Sequence, residues 1–343
     1  MGVKLTLKPK QVVKRLLLAL PLRARDVITN RYGLGKTPER MTLESIGKTY
    51  KITRERVRQI ENYSFGVIRK SPSYTKEKEA LDELAKVIDE MGGIVSESHF
   101  LKMVSDDASA QNAIHFILVL GDAFKKRKED DHFHHRWLVD DTLGNAVEVS
   151  LKRLYESLED DALIPESEMI NSFLVELKDI SEKYKNEEMA KRWLSLSKKI
   201  SRNPLGEWGA AQSANIKAKG MRDFAYLTIR RHGSPMHYTE VAKSIQQLFD
   251  REAHVATCHN ELIKDKRFVL VGRGLYALSE WGYASGVVKD VIREIIKKHG
   301  ALTKQEIIDK VLKERYVKEN TIAVNLQNPK FFKKNKEGKY SLT

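Results

Sequence analysis

The stretch TRERVRQIEN at residues 53–62 concentrates hydrogen-bonding side chains on a short segment. It holds three arginines, two glutamates, a glutamine and an asparagine, and only Val57 and Ile60 are apolar. In a helix, positions i, i+1, i+4 and i+5 lie on one side, which predicts an outward face near the N-terminal end of this segment. The residues of that face are Arg54, Glu55, Arg58 and Gln59.

These side-chain types can recognise DNA bases. Arginine donates two hydrogen bonds to guanine, glutamine forms two with adenine, and glutamate accepts one from the amino group of cytosine. Each good pair discriminates against the wrong base by roughly 1–3 kcal/mol. A solvated surface helix would also be rich in charge, but it would need neither a capped start nor a short turn from a partner helix. We therefore predict that this face reads base edges.

The preceding segment MTLESIGKTY (41–50) supplies the partner helix. Thr42 is a good N-cap, and three apolar residues follow at helical spacing. A two-residue connection comes next, and Thr53 caps a second helix that we predict to extend to about Lys70. The residues of this region predicted to pack inward are Ile52, Val57, Ile60, Val67 and Ile68. This layout indicates a helix-turn-helix, whose second helix enters the major groove and contacts bases with its N-terminal residues.

Residues 20–70 resemble region 4 of the primary bacterial sigma factors, which reads the −35 element of promoters. The markers are RYGL at the end of the first helix pair, TLESIG at the start of the helix-turn-helix, and TRERVRQIE in the second helix. The segment YSFGVIRK departs from the family pattern at Tyr63, Phe65 and Gly66. Only some 19 residues precede the resemblance. We therefore expect that the chain is not a free-standing initiation sigma factor, which would need a further module upstream.

The resemblance implies a division of the contacts with DNA. Base-edge contacts are implied for the four outward residues Arg54, Glu55, Arg58 and Gln59. Phosphate contacts, which position a protein without reading sequence, are implied for Arg23, Arg31, Thr42, Leu43 through its backbone, and Glu44. Thr53 joins the predicted interface as the cap of the second helix.

Four later segments share one outline, in which an amphipathic helix precedes a turn, two more helices and a strand–turn–strand. Their apolar anchors after the turn are Ile94, Leu163, Met236 and Leu302. This order predicts winged helices, whereas a generic helical bundle with hairpins is the alternative. The predicted fold class is therefore mainly α, with an N-terminal helix-turn-helix followed by tandem winged-helix domains. The predicted domains are 1–70, 76–143, 147–212, 219–284 and 286–343.

Residues 219–283 resemble the HARE-HTH domain, a winged-helix family that occurs in the delta subunit of some bacterial RNA polymerases, in chromatin factors and in restriction enzymes. The markers are PMHYTEVA, HNELIKDKRFVLVGRGLYAL and EWGY. The resemblance implies association with nucleic acid or with the transcription machinery, and no catalysis. Its basic residues Arg273, Lys266 and Arg267, with Lys264, are candidate DNA contacts of the wing, and a solvated wing explains them equally well.

Other features exclude several classes of function. The single cysteine, Cys258, leaves no disulfide and no cysteine-based zinc site within one chain, and no phosphate-binding GxxxxGK[ST] loop occurs. No run of about 18 apolar residues is present to span a membrane. His132 and His134 could share a strand face and hold a metal, but a polar strand edge is the simpler interpretation. We predict no catalytic residues, no metal and no cofactor.

The net charge of +14 is unevenly distributed. Residues 1–70 carry about +12, residues 71–219 about −7, and residues 220–343 about +9. Basic ends attract polyanions. Together these features predict a cytoplasmic, nucleoid-associated transcription regulator that binds double-stranded DNA at a −35-like site. The alternatives are a delta-like accessory protein that binds RNA polymerase, and the DNA-recognition component of a restriction or defence system.

Overall fold

A computed structural model describes residues 5–178, 180–283 and 286–343, and the chain is mainly helical. The N-terminal region comprises α1 (Pro9–Leu17), α2 (Leu22–Tyr32), α3 (Leu43–Tyr50) and α4 (Arg54–Arg69). Helix α2 ends where Gly33 adopts a left-handed conformation with φ of 62°, which glycine enters without steric penalty. The predicted bounds of the two helices of the helix-turn-helix are confirmed.

The first predicted winged helix shows the expected order of elements. The elements are α5 (Pro72–Lys76), α6 (Lys78–Glu90), β1 (Ile94–Ser96), α7 (Glu97–Val104), α8 (Ala108–Leu120), β2 (Lys125–Arg127) and β3 (Arg136–Leu138). The strands form an antiparallel sheet in the order β1-β3-β2, and the anchor Ile94 lies opposite Leu138. The strand that contains Ile94 therefore lies in one sheet with the hairpin. This pairing holds the hairpin against the helices.

The second module follows the same order, with one shift. Its elements are α9 (Asp141–Glu156), α10 (Glu166–Glu176), α11 (Glu187–Leu194), β4 (Ile200–Arg202) and β5 (Trp208–Ala210). The residue that bridges to the hairpin is Ile164, opposite Trp208, so the predicted anchor Leu163 is wrong by one position. Neighbouring residues of an extended segment point to opposite sides, so only one of the two can pack with Trp208 on the core.

The last two modules confirm their predicted anchors, since Met236 lies opposite Tyr276 and Leu302 opposite Tyr340. The third module comprises α12 (Met221–His232), β6 (Met236–His237), α13 (Tyr238–Phe249), α14 (Val255–Lys264), β7 (Phe268–Gly272) and β8 (Leu275–Leu278). The fourth comprises α15 (Val288–His299), α16 (Lys304–Glu314), α17 (Glu319–Leu326), β9 (Phe332–Lys334) and β10 (Tyr340–Leu342).

The chain divides into two compact units. One is Met1–Ser201 with Trp208–Ala211, and the other is Arg202–Glu207 with Gln212–Thr343. Within the first unit, the helix-turn-helix region and the first module share one apolar core, to which α1, α2, α4, α6 and α8 all contribute. The predicted boundary between residues 70 and 76 therefore separates two sequence patterns, while the side chains on either side of it pack together. Among the described residues, no helix is both long and apolar enough to cross a membrane.

Candidate nucleic-acid interface

The turn between α3 and α4 is held by local hydrogen bonds. The Thr42 hydroxyl accepts from the Ser45 amide at 3.1 Å, and the Thr53 hydroxyl accepts from the Arg56 amide at 3.2 Å. Each bond satisfies one of the amides that a helix start leaves without a partner. A side chain at Gly47 would lie 2.7 Å from the Ile52 carbonyl oxygen, so the close approach of the turn requires glycine there. The two predicted caps are confirmed.

Helix α4 has one buried and one exposed side. Val57 and Ile68 are fully buried, and the other predicted inward residues, Ile52, Ile60 and Val67, are half-buried against the cores. Arg54, Glu55, Arg58 and Gln59 are all exposed. The structure therefore brings the four predicted base-reading residues together on the solvent side, at the capped end of the helix.

Two of these residues engage each other across one helical turn. Arg58 donates to both carboxylate oxygens of Glu55, at 2.9 and 2.7 Å, and Arg56 donates to the Gln59 oxygen at 3.0 Å. The hydrogen bond between Arg58 and Glu55 lowers the pKa of Glu55 and raises the pKa of Arg58. Both groups are fully exposed, so solvent screens the pair and a stronger partner can displace it. The Arg54 side chain has no ion pair within the described part of the chain, so its guanidinium is free to bind an anion.

The predicted phosphate contacts differ in how freely they can reach a ligand. Arg23 and Glu44 are exposed, and Glu44 lies 3.3 Å from Lys48. Leu43 opens α3, where the first amides of a helix have no partner within it and attract anions. Arg31 donates to the Met41 carbonyl at 3.2 Å and lies 3.5 Å from a buried carboxylate, that of Glu61. Arg31 is therefore partly engaged inside the fold.

Glu61 is a member of the opening polar stretch that does not face solvent. It is 9% exposed, and its carboxylate accepts a hydrogen bond from the Tyr32 hydroxyl at 2.8 Å. Burial, together with the charge of Glu61, raises the pKa of Tyr32 well above its ordinary value. Glu61 therefore ties α4 to α2. Sequence reasoning assigned it no role, because its partner lies 29 residues away.

Residues 16–70 match the family model described as sigma-70, region 4. The match begins four residues before the predicted start and includes the end of α1. Searches of curated proteins and of solved structures found no match. The segment with the exposed polar face is thus similar to a DNA-binding helix-turn-helix connected with transcription.

A contact with the first module also holds the segment that matches sigma-70 region 4. The Asn112 side chain, on α8, donates to the carbonyl oxygens of Gly33 at 3.0 Å and Pro38 at 2.7 Å, and it accepts from Arg40 at 2.7 Å. These contacts hold the loop between α2 and α3 against the first module. No local pattern points to Asn112, which lies at least 72 positions from each partner.

The candidate wing residues of the third module lie outside the segment that matches the family model, and their surroundings differ. Arg273 lies at the hairpin turn and is exposed, as are Lys264 and Lys266. Arg267 donates to Asp265 at 2.7 Å, to Asp223 at 3.0 Å and to Asn215 at 3.2 Å. Burial alone would lower the pKa of Arg267, but the hydrogen bonds to the two carboxylates outweigh it and raise the pKa. The structure thus engages Arg267 inside its own module, and its predicted contact with DNA stays a prediction.

The remaining groups to consider are those that could bind a metal or act as a nucleophile. In the part of the chain that the structure describes, no group of three or more His, Cys, Asp and Glu residues could hold a metal ion. The Cys258 thiol is buried, and burial raises its pKa to about 11, which disfavours the reactive thiolate. His132 and His134 lie in a loop whose backbone pairs with residues 196–198 of the second module.

Proposed function

We propose that the protein is a sequence-specific regulator of transcription, in which α4 reads a DNA site resembling a promoter −35 element. The observation that carries this proposal is the exposed row of Arg54, Glu55, Arg58 and Gln59 at the capped start of α4. The segment that contains the row matches sigma-70 region 4. Double-stranded DNA is the proposed partner, the proposed location is the cytoplasm with its nucleoid, and the proposed role needs neither catalysis nor a cofactor.

The internal pairing of the row supports a mechanism of exchange. In the free protein, Glu55 and Gln59 hold the guanidinium groups of Arg58 and Arg56 close to the helix. A guanine offers Arg58 two acceptors, and a cytosine amino group offers Glu55 a donor, so a matching sequence replaces the internal pair. A mismatched sequence breaks the same pair without replacing it, which penalises the wrong site.

Contacts with the phosphate backbone of DNA would complete the interface. The exposed Arg23 and the open amides at the start of α3 are suited to phosphates, and each neutralised phosphate releases counterions. These phosphate contacts contribute affinity and its salt dependence, while α4 contributes sequence preference.

The experiment is selection of bound sequences from random duplex DNA, with the intact protein and with an Arg58→Ala/Gln59→Ala variant. The intact protein is expected to enrich a short motif resembling a −35 element, and the variant to lose it. An Arg153→Ala/Gln246→Ala variant makes the same chemical changes at exposed positions on α9 and α13, and it should retain the motif. Failure of the intact protein to enrich any motif would refute base reading by α4.

One observation favours a second candidate, an accessory protein of RNA polymerase. The solvent side of α14, the third helix of its module, carries Val255 at 43% and Ile263 at 61% exposure, with Lys264 beside them. An apolar surface of this kind suits a protein better than a phosphate backbone. On this proposal, a Val255→Asp/Ile263→Asp variant weakens binding to purified polymerase, whereas the Arg58→Ala/Gln59→Ala variant does not. The resemblance of residues 219–283 to HARE-HTH proteins also supports this second candidate.

A further inference from the structure

The hairpin of the first module is basic, but most of its charges are neutralised within the chain. Lys125 pairs with Asp141, Lys126 lies 2.6 Å from Glu97, and Arg127 lies 2.9 Å from Glu148. The loop of this hairpin is also covered, since the His134 amide donates to the Leu196 carbonyl in the second module. This wing therefore joins two modules of the first unit.

The hairpin of the third module has a similar internal role. Its Arg267 is bound by Asp265 and Asp223, as described above. Near its turn, the Val271 carbonyl accepts from the Tyr316 amide at 2.7 Å, and Gly272 lies against the same tyrosine. This wing therefore packs on the fourth module within the second unit.

The hairpin of the fourth module differs from both. Five lysines lie within ten residues, with Glu337 as the only acidic residue among them. They are Lys330, Lys333, Lys334, Lys336 and Lys339, of which only Lys339 is half-buried. Within the described residues, none of the five ammonium groups forms a salt bridge, although Lys339 interacts electrostatically with Glu306 and Lys334 lies 5.9 Å from the centre of the Tyr340 ring. The hairpin itself is well formed, because Phe332 is buried opposite Leu342.

Such a cluster is unfavourable for the isolated fold, because like charges repel and the Debye length is about 8 Å at physiological salt. In the first and third wings, Lys126, Arg127 and Arg267 are paired with carboxylates, whereas Lys128, Lys266 and Arg273 are exposed. Most of the positive charge of the C-terminal part belongs to this module, since residues 286–343 carry about +7 of the roughly +9 in residues 220–343. The exposed lysines of this hairpin are therefore available to an external polyanion.

We propose that the lysine-rich hairpin, residues 330–339, binds the phosphate backbone of double-stranded DNA as a second contact surface, separate from α4. The proposal rests on the proposed function in that the ligand is the same kind of duplex. Strand β9 has three residues and is therefore roughly 10 Å long, which corresponds to about three base pairs along the DNA axis. The lysines of the hairpin can therefore contact several phosphates, and they add affinity without sequence preference.

The test compares two full-length variants with the same change of charge. One carries Lys→Gln at positions 330, 333, 334 and 336. The control carries Lys→Gln at the exposed Lys76, Lys78, Lys102 and Lys178 of the first unit. Circular dichroism and thermal unfolding check that both remain folded. Affinity for a duplex of random sequence is then measured over a range of salt concentrations.

The hairpin variant is expected to bind about 10- to 100-fold more weakly near physiological salt. In a plot of log K against log salt concentration, the slope for this variant should be shallower by about 0.9 for each phosphate that it no longer neutralises. The control should keep the slope of the parent. Equal slopes for the two variants would overturn the proposal. So would a hairpin variant that retains DNA binding but loses binding to vesicles of phosphatidylcholine and phosphatidylserine in equal parts, because the polyanion would then be a membrane.

Sequence selection separates this proposal from base reading by α4. If the hairpin variant enriches the same motif as the parent but binds every sequence more weakly, both proposals stand. If the parent enriches no motif while the hairpin variant still loses salt-dependent affinity, base reading by α4 fails and the hairpin proposal stands. If the motif is enriched and the hairpin variant binds like the control, only the hairpin proposal fails.

Discussion

Replacing Asn112 tests how the helix-turn-helix region is fastened to the first module. Asn112 is 6% exposed, donates two hydrogen bonds to loop carbonyls and accepts a third from Arg40. Asn112→Ala removes all three and leaves the carbonyls of Gly33 and Pro38 without this donor. A hydrogen bond contributes about 0.5–1.5 kcal/mol net, so three predict a loss of about 2–4 kcal/mol in the free energy of unfolding.

Urea unfolding followed by tryptophan fluorescence measures this loss, because Trp137, Trp193 and Trp208 are buried in the same unit. In thermal unfolding, a unit of about 200 residues should lose roughly 5–15 °C in Tm. Amides of the loop at residues 33–40 should also exchange faster with solvent.

Two further variants identify the cause of the loss. Asn112→Asp keeps the size of the side chain and the acceptor for Arg40 but cannot donate, so it should destabilise at least as much as alanine. Gln111→Ala on the same helix removes a single bond to the Ser105 carbonyl, and should lower the free energy of unfolding by no more than about 1 kcal/mol. An unfolding free energy for Asn112→Ala within about 0.5 kcal/mol of the parent value would refute the proposed fastening.

Three other outcomes follow from the geometry. Gly66→Ala, in the exposed last turn of α4 where an added Cβ meets nothing, should raise the free energy of unfolding in urea by about 0.5–1 kcal/mol. A decrease would contradict this. Gly47→Ala should lower it by about 1–3 kcal/mol, since the Cβ would lie 2.7 Å from the Ile52 oxygen, and an unchanged urea midpoint would contradict it. Burial alone would raise the pKa of Asp223, but hydrogen bonds from the Gly220 amide and Arg267 hold it below its ordinary value. Its contribution to stability is therefore present above about pH 4 and is lost as pH falls through the lowered pKa, so Arg267→Gln should flatten the acid side of the curve of Tm against pH.

The features that the sequence predicts well depend on neighbouring residues. Thr42 and Thr53 cap helices because their hydroxyls reach amides three positions ahead, and the inward row of α4 follows from helical spacing alone. The hairpin anchors follow from the same kind of pattern, and the error at Leu163 is one residue in a segment where two apolar side chains are adjacent.

The features that escaped prediction depend on distant partners. Glu61 and Arg58 are both charged residues of one short stretch, but only contact with Tyr32 of α2 shows that Glu61 faces inward. Arg267 has the composition of a DNA contact, and Asp223, which engages it, lies 44 residues away. Sequence spacing cannot reveal such pairs, because they form only when the helices pack.

Charge counts therefore overstate the surface that can meet a polyanion. Several basic residues of the first and third wings, Lys126, Arg127 and Arg267, are paired with carboxylates inside their own units, so they add little to the field outside. Unpaired basic groups remain at Arg54 of α4 and at the hairpin of residues 330–339. The two surfaces are suited to different tasks, since α4 combines donors with acceptors and the lysines of the hairpin offer donors alone. Sequence preference should accordingly follow α4, while salt dependence should follow the hairpin.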